Sequence, residues 1–173
     1  MNEVSIVPVE DTASIKEVAS LAREIWREHY IAIIGEPQVE YMLGRFQSDR
    51  AIAAQIEEGY IYYLMKLHGM PVGYLSIKPQ EETKEIFLSK LYIKADHRRK
   101  GYGRIAIRFI EDSAKKRNLH SIALTVNKHN TDAISAYQRF GFKNRGPTVR
   151  DIGNGFIMDD YKMSKDLGAG ECQ

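Results

Sequence analysis

The chain has 173 residues, with 25 basic and 23 acidic side chains and a formal net charge of +2. Hydrophobic residues make up 43% and charged residues 28%, which is the balance of a globular protein and excludes a disordered or fibrous one. The weak net charge excludes bulk attraction to nucleic acid or to an anionic membrane. We expect a single domain over residues 1–167, followed by a loose tail over 168–173.

Two further features bound the class of protein. The chain contains no run of 18 apolar residues, and its start, MNEVSIVPVE, lacks the basic and apolar regions of a secretory signal. Cys172 is the only cysteine, so an internal disulfide and a cysteine metal cluster are both excluded. These features predict a protein of a reducing compartment, the cytoplasm, with no metal site and no membrane span.

The N-terminal part of the chain predicts one strand and three helices. A β-branched run predicts the strand over Ser5–Val9. Capping oxygens follow at Asp11, Thr12 and Ser14. Glu17, three residues after Ser14, gives the spacing of a capping box, and helical periodicity then extends to about Tyr30. The breaker Gly35-Glu36-Pro37 separates this helix from two shorter ones, over Val39–Phe46 and from Ser48 to Gly59.

The middle of the chain predicts three antiparallel strands in a meander. They are expected over Tyr60–Leu67, Val72–Ile77 and Glu85–Ile93, with turn residues between them. A helix is expected next, over Gly103–Arg117. Its buried stripe is assigned to Ile105, Phe109 and Ile110.

The remaining segments predict a strand, a helix and a hairpin. The strand is expected over Ser121–Val126 and the helix over Asn130–Phe140. The hairpin turns at Gly153-Asn154-Gly155 and ends with a strand over Phe156–Met163. The apolar alternation slips at Asp159-Asp160, which suggests a β-bulge. The free edge of this last strand could pair with a second copy, so a homodimer stays open.

A basic, glycine-containing loop follows the third strand of the meander. It comprises Arg98, Arg99, Lys100, Gly101, Tyr102, Gly103 and Arg104. Glycines let the backbone approach a ligand closely, and the loop ends at a helix N-terminus, which favours phosphate. The loop therefore predicts a pyrophosphate site, against the alternative of a solvated basic turn. The P-loop is excluded, since no glycine precedes Lys-Ser or Lys-Thr. A dinucleotide site is less favoured, because Thr125-Val126-Asn127 offers no acid at the end of the next strand.

A second motif lies about 30 residues further on, in the stretch Asn130-x-x-Ala133-x-x-x-Tyr137 followed by Gly141-Phe142. Asn130 and Tyr137 are seven residues apart on one predicted helix. Two helical turns place them on the same face, about 10 Å apart along the axis. A phenol, with a pKa of about 10, can donate a proton as a general acid. The alternative roles are a helix N-cap for Asn130 and a core tyrosine for Tyr137.

Together the two motifs closely resemble the GNAT superfamily of N-acetyltransferases. Arg98-x-x-Gly101-x-Gly103 matches that family's Gln/Arg-x-x-Gly-x-Gly/Ala signature, and the order of elements also agrees over most of the chain. The resemblance implies a mixed, mostly antiparallel α/β sheet with helices on both faces and a V-shaped opening between the central strands. It also implies acetyl-CoA as the cosubstrate.

The resemblance further implies roles for individual residues. The backbone of Leu91, Tyr92 and Ile93 would pair with the pantetheine arm, and the loop from Arg98 to Arg104 would hold the pyrophosphate. Asn130 would meet the pantetheine, and Tyr137 would protonate the departing CoA thiolate. The general base is not readable from the sequence, and Glu85 is a candidate.

The acceptor side is less well defined. The region that usually builds it in the family contains Glu28, Tyr30 and Tyr41, and Asp159 and Asp160 add carboxylates that suit a cation. A weaker resemblance to members that acetylate polyamines lies in Phe156–Tyr161 and in Trp26–Tyr30. The expected reaction is acetyl transfer to a primary amine by direct attack in a ternary complex. Three alternatives stay open. The chain could be a non-catalytic module that binds acyl-CoA, an acetyltransferase that acts on protein N-termini or lysines, or an enzyme whose phosphate site binds a different nucleotide.

Overall fold

The computed structural model describes residues 3–168 of the chain. The tail predicted over 168–173 lies outside these residues from position 169 on, and so does Cys172. The strands are β1 (Val4–Pro8), β2 (Ile61–Leu67), β3 (Met70–Gln80), β4 (Glu85–Ile93), β5 (Ser121–Asn127), β6 (Lys143–Gly153) and β7 (Phe156–Asp166). The helices are α1 (Thr12–Ile34), α2 (Glu36–Phe46), α3 (Asp49–Glu57), α4 (Tyr102–Lys116) and α5 (Thr131–Arg139).

These elements confirm the predicted mixed α/β fold with a mostly antiparallel sheet of seven strands. The described chain forms two compact units. The first comprises the residues up to Lys78 and Lys90–Ala106, and the second comprises Pro79–Ser89 and the residues from Ile107 on. The strand order is β1-β2-β3-β4 in the first unit and β4-β5-β7-β6 in the second, since β4 contributes residues to both.

The two units differ in how their strands pair. In the first, β1 and β3 both run antiparallel to β2, as the predicted meander requires. In the second, β4 and β5 are parallel, whereas β7 is antiparallel to both β5 and β6. Among residues 3–168, no helix combines the length and the apolar character needed to cross a membrane.

Helix α1 begins and ends at different residues from those predicted. The cap is Asp11, whose carboxylate accepts from the Ser14 amide at 2.7 Å, so the capping box pairs Asp11 with Ser14 and not Ser14 with Glu17. The helix also continues beyond Tyr30 to Ile34, since no glycine or proline interrupts it before Gly35. It ends at Gly35, whose φ of 84° a residue with a side chain rarely adopts.

The buried face of α4 corrects one prediction. Ile105 is 39% exposed, whereas Ala106 and Ile110 are fully buried. The helix begins at Tyr102, whose ring is buried, and this sets the phase of the helix so that position 105 points outward. The predicted role of Ile105 in the core is therefore wrong.

The C-terminal hairpin corrects two more predictions. The register is continuous through Asp159 and Asp160, and the shifts fall in β6, at Asn144/Gly146 and at Asp151/Gly153. The expected bulge in the last strand is therefore wrong. Strand β7 also lies between β5 and β6, so the edge strand is β6 and not the last strand.

Candidate functional site

The basic loop of the first unit opens directly onto a helix N-terminus. After β4 a short 3-10 turn covers Ala95–His97, and Gly101 then takes a φ of 84° immediately before α4. The first intrahelical hydrogen bond runs from the Ile105 amide to the Gly101 carbonyl at 3.2 Å, so the amides of the first turn have no acceptor within the helix. A Cβ added at Gly101 would meet nothing within 4 Å, and no acidic residue stands in the first turn. This geometry suits an anion.

The loop side chains divide into two groups. Arg98 donates from Nε to the Ile93 carbonyl at 2.9 Å, which ties the loop back to the end of β4. The Tyr102 ring is buried and stacks on the His97 ring, with 6.4 Å between the ring centroids. The exposed basic side chains are those of Arg99, Lys100 and Arg104.

The last residues of β4 are held against β3 by a close backbone approach. The Lys94 amide donates to the Val72 carbonyl at 2.9 Å, and a Cβ on Gly73 would lie 2.6 Å from the Tyr92 carbonyl oxygen. The parallel pairing of β4 with β5 joins Glu85–Phe87 to Ser121–Ala123 and does not extend to Leu91–Ile93. The predicted pantetheine strand thus lies outside that pairing.

The Tyr92 side chain belongs to an aromatic cluster. Its ring packs edge-on against Trp26 at 5.4 Å and lies 6.1 Å from the Tyr30 ring. Trp26 and Tyr30 stack at 4.5 Å, and Tyr74 lies 5.3 Å from Tyr92. The structure therefore brings together Tyr30, predicted for the acceptor, and Tyr92, predicted for the cosubstrate.

The other residues predicted for the acceptor have different surroundings. Glu28 is exposed on α1. The Tyr41 hydroxyl accepts from Arg45 at 2.7 Å. Nearby, Glu40 accepts two hydrogen bonds from Arg27, at 2.7 and 3.0 Å, and these hold the pKa of its carboxyl below the usual value. The Glu40 charge is thus already paired.

A buried lysine lies beneath helices α2 and α3, and the sequence analysis missed it. Lys90 on β4 is 7% exposed and donates to the Gln55 side-chain oxygen at 2.7 Å and to the Phe46 carbonyl at 3.1 Å. It also contacts the Tyr62 hydroxyl. Burial lowers the pKa of Lys90 to about 7. Lys90 shares the buried face of β4 with two apolar residues, Ile86 and Leu88. A lysine in this alternating pattern is the signal that could have found it.

In the second unit, Asn130 is the residue that precedes α5, and Tyr137 lies in the last turn of this helix. Asn130 is 6% exposed, its carbonyl accepts from the Ile134 amide, and its side chain makes no capping hydrogen bond with the helix. Tyr137 is half-buried, with its ring 5.5 Å from that of Phe142. The Asn130 side chain is therefore not used as a cap.

Glu85, the candidate base, also belongs to the second unit. It is half-buried at the start of β4 and accepts from the Ser121 hydroxyl at 3.3 Å. Its strand neighbour Ile86 is fully buried. This carboxylate is therefore fixed by β5.

Comparisons with known proteins identify the family of this chain. The profile of the acetyltransferase (GNAT) family matches residues 18–142. A spermidine N(1)-acetyltransferase of Thermoplasma acidophilum is 24% identical over 163 residues, which cover 91% of this chain and 95% of that protein. The chain belongs to the GNAT acetyltransferase family.

Two solved structures share its fold. The PaiA N-acetyltransferase of Thermoplasma acidophilum, in complex with coenzyme A, has a TM-score of 0.76 at 21% identity and covers 95% of this chain and 99% of its own. The spermidine N-acetyltransferase of Vibrio cholerae, in complex with CoA and spermine, has a TM-score of 0.71 at 17% identity and covers 96% of each chain.

As a GNAT enzyme, the protein is an acetyl-CoA-dependent N-acetyltransferase. The loop fits that cosubstrate on structural grounds, because the open space at Gly101 faces a helix start that carries no acid. Exposed basic side chains surround the same turn.

Proposed function

We propose that this GNAT enzyme transfers the acetyl group of acetyl-CoA to a primary amine of a small polycation, of the polyamine class. The attack is direct, within a ternary complex of enzyme, acetyl-CoA and amine. The observation that best supports acetyl-CoA as the donor is the open turn at Gly101, immediately before α4. The named activity of the Thermoplasma relative and the spermine in the Vibrio complex support the acceptor class.

Donor binding uses backbone more than side chains. The amides at the start of α4 bind the pyrophosphate, and Arg99, Lys100 and Arg104 add positive charge around it. Arg98 is fixed on the Ile93 carbonyl, so it supports the loop and its contact with phosphate is secondary. The backbone of Leu91–Ile93 is the proposed partner of the pantetheine arm. Asn130 is proposed as a separate ligand of the pantetheine.

Two groups move protons in the proposed reaction. The amine nitrogen forms a bond to the acetyl carbonyl carbon, and the carbon–sulfur bond then breaks. Tyr137 gives its phenolic proton to the departing thiolate. Glu85, held by Ser121, takes up the proton that the amine loses, either directly or through water.

The test is release of free CoA thiol from acetyl-CoA in the presence of a panel of amines. The panel includes spermidine, spermine, small monoamines and a peptide with a free N-terminus. Turnover with the polyamines supports the proposal. Turnover with the peptide alone replaces it by protein acetylation. Tight acetyl-CoA binding without turnover on any acceptor contradicts it and favours a non-catalytic acyl-CoA-binding module.

A further inference from the structure

Two adjacent aspartates on β7 have opposite environments. Successive side chains of a strand point to opposite faces, so Asp159 and Asp160 lie on different sides of the sheet. The Asp159 carboxylate pairs with Lys128 at 2.6 Å, and the Tyr161 ring lies 5.6 Å from the same ammonium group. The charge of Asp159 is therefore already balanced.

Asp160 has no such partner. It is 5% exposed, and no ion pair joins it to any residue between positions 3 and 168. Burial raises the pKa of its carboxyl, and the Asp159 charge adds to this. The Arg150 and Lys128 charges and a hydrogen bond from the Thr125 hydroxyl lower this pKa, and this hydrogen bond does not neutralise the charge of the carboxylate.

The groups around Asp160 are polar. Its register partners are Asn127 on β5 and Thr148 on β6, and Thr125 lies two residues before Asn127. The Arg150 guanidinium donates to the Met158 sulfur at 3.4 Å. A buried carboxylate without an ion-pair partner is costly, and a cationic ligand removes that cost. The Asn127 side-chain oxygen accepts one backbone hydrogen bond at 2.9 Å, and its second lone pair is a further acceptor for an ammonium group.

The position of Asp160 connects it with the proposed reaction. Asn127 is the last residue of β5, and the Asn130 amide donates back to its carbonyl at 3.0 Å as α5 begins. Asp160 therefore flanks the strand end from which the helix of Tyr137 departs.

We propose that Asp160 binds an ammonium group of the acceptor amine, whereas Asp159 does not. This inference rests on the proposed acetylation of a polycation and names the residue that selects it. The contact is a charge-assisted hydrogen bond that requires no covalent step.

The first test compares two charge-matched variants, Asp160→Asn and Asp159→Asn, in steady-state kinetics with spermidine. Loss of a hydrogen bond to a charged group predicts a rise of about tenfold or more in the KM for spermidine in Asp160→Asn. The KM for acetyl-CoA should be unchanged in both variants, and Asp159→Asn should keep the wild-type KM for spermidine. An unchanged KM in Asp160→Asn, or an equal rise in both variants, overturns the inference.

The second test needs neither turnover nor a variant. Carbon-13 NMR of the wild-type carboxyl groups, with spermidine as the probe, should show a lower pKa for Asp160 when spermidine is bound. An unchanged Asp160 signal at saturating spermidine overturns the inference. If spermidine moves this signal but the enzyme acetylates no amine, the proposed function fails while the inference about Asp160 stands.

Discussion

The Nζ atom of Lys90 lies 3.1 Å from the carbonyl oxygen of Phe46, the last residue of helix α2. A positive charge at a helix C-terminus is favourable, but this one is buried, and no carboxylate of residues 3–168 forms an ion pair with it. The same nitrogen reaches Gln55 and Tyr62, so it joins β4 to the junction of α2 and α3.

This arrangement predicts a pH-dependent stability. Because the pKa of Lys90 is about 7 in the folded chain and about 10.5 when unfolded, the unfolded state binds more protons between these values. The free energy of unfolding should therefore rise with pH in that window, by up to about 1.4 kcal/mol per pH unit. Urea unfolding of the wild type between about pH 7.5 and 9.5 measures this rise in the free energy of unfolding. This pH range lies below the range in which tyrosines ionise.

Lys90→Met should remove this rise, whereas Lys115→Met, at an exposed position of α4, should keep it. A flat wild-type profile, or a rise that persists in Lys90→Met, would show that the lysine keeps its ordinary pKa.

Removal of the Tyr137 hydroxyl tests the proposed acid. Tyr137→Phe should lower kcat by about 100-fold or more, because general acid catalysis contributes on that scale. The affinity for acetyl-CoA, measured by calorimetry, should not change. Tyr60→Phe, whose ring contacts Lys78, serves as the control and should keep full activity. Wild-type kcat in Tyr137→Phe would remove this role.

The turn at Gly101 should affect the binding of acetyl-CoA as well as the stability of the protein. Gly101→Ala strains a backbone with a φ of 84°, at about 1–2 kcal/mol, and puts a methyl group into the proposed phosphate site. We expect at least a tenfold rise in the KM for acetyl-CoA, because the loss of one hydrogen bond to a charged group weakens binding by about that factor.

Gly69→Ala is the matched control, because it has a φ of 79° and equally open space but lies in the turn between β2 and β3. It should lose similar stability and keep the wild-type KM for acetyl-CoA. Equal KM values in the two variants would mean that the Gly101 turn does not contact the cosubstrate.

The contact between β3 and β4 should tolerate no side chain at Gly73. A Cβ there would lie 2.6 Å from the Tyr92 carbonyl oxygen, so backbone must move. Gly73→Ala should destabilise the protein by about 2 kcal/mol in urea unfolding. Gly44→Ala, in α2 with nothing within 4 Å, should instead stabilise it by up to about 1 kcal/mol. Wild-type stability in Gly73→Ala would contradict the tight approach of the two strands.

Most of the fold could be predicted from local patterns, and the errors have physical causes. β4 was predicted with its exact bounds because alternation and turn residues coincide there. Ile105 was misplaced because a single residue of phase in α4 exchanges a buried position for an exposed one. The order of β6 and β7 depends on pairing between distant segments, which periodicity does not encode.

Some features of the candidate site could likewise be predicted from the sequence, and others could not. The turn at Gly101 and the helix position of Tyr137 follow from local spacing, and the structure has both. The Lys90 network and the contrast between Asp159 and Asp160 depend on tertiary burial and on partners far along the chain. Residue types alone suggested equal roles for these two carboxylates, and only their surroundings separate them.

Mass spectrometry of the product formed from isotopically labelled acetyl-CoA and spermidine tests the central claim most directly. The account predicts that labelled N-acetylspermidine appears in step with free CoA thiol. It also predicts that both products fall together in Tyr137→Phe. Release of CoA without acetylated spermidine, or the absence of both products while acetyl-CoA is bound, would contradict acetyl transfer to a polyamine.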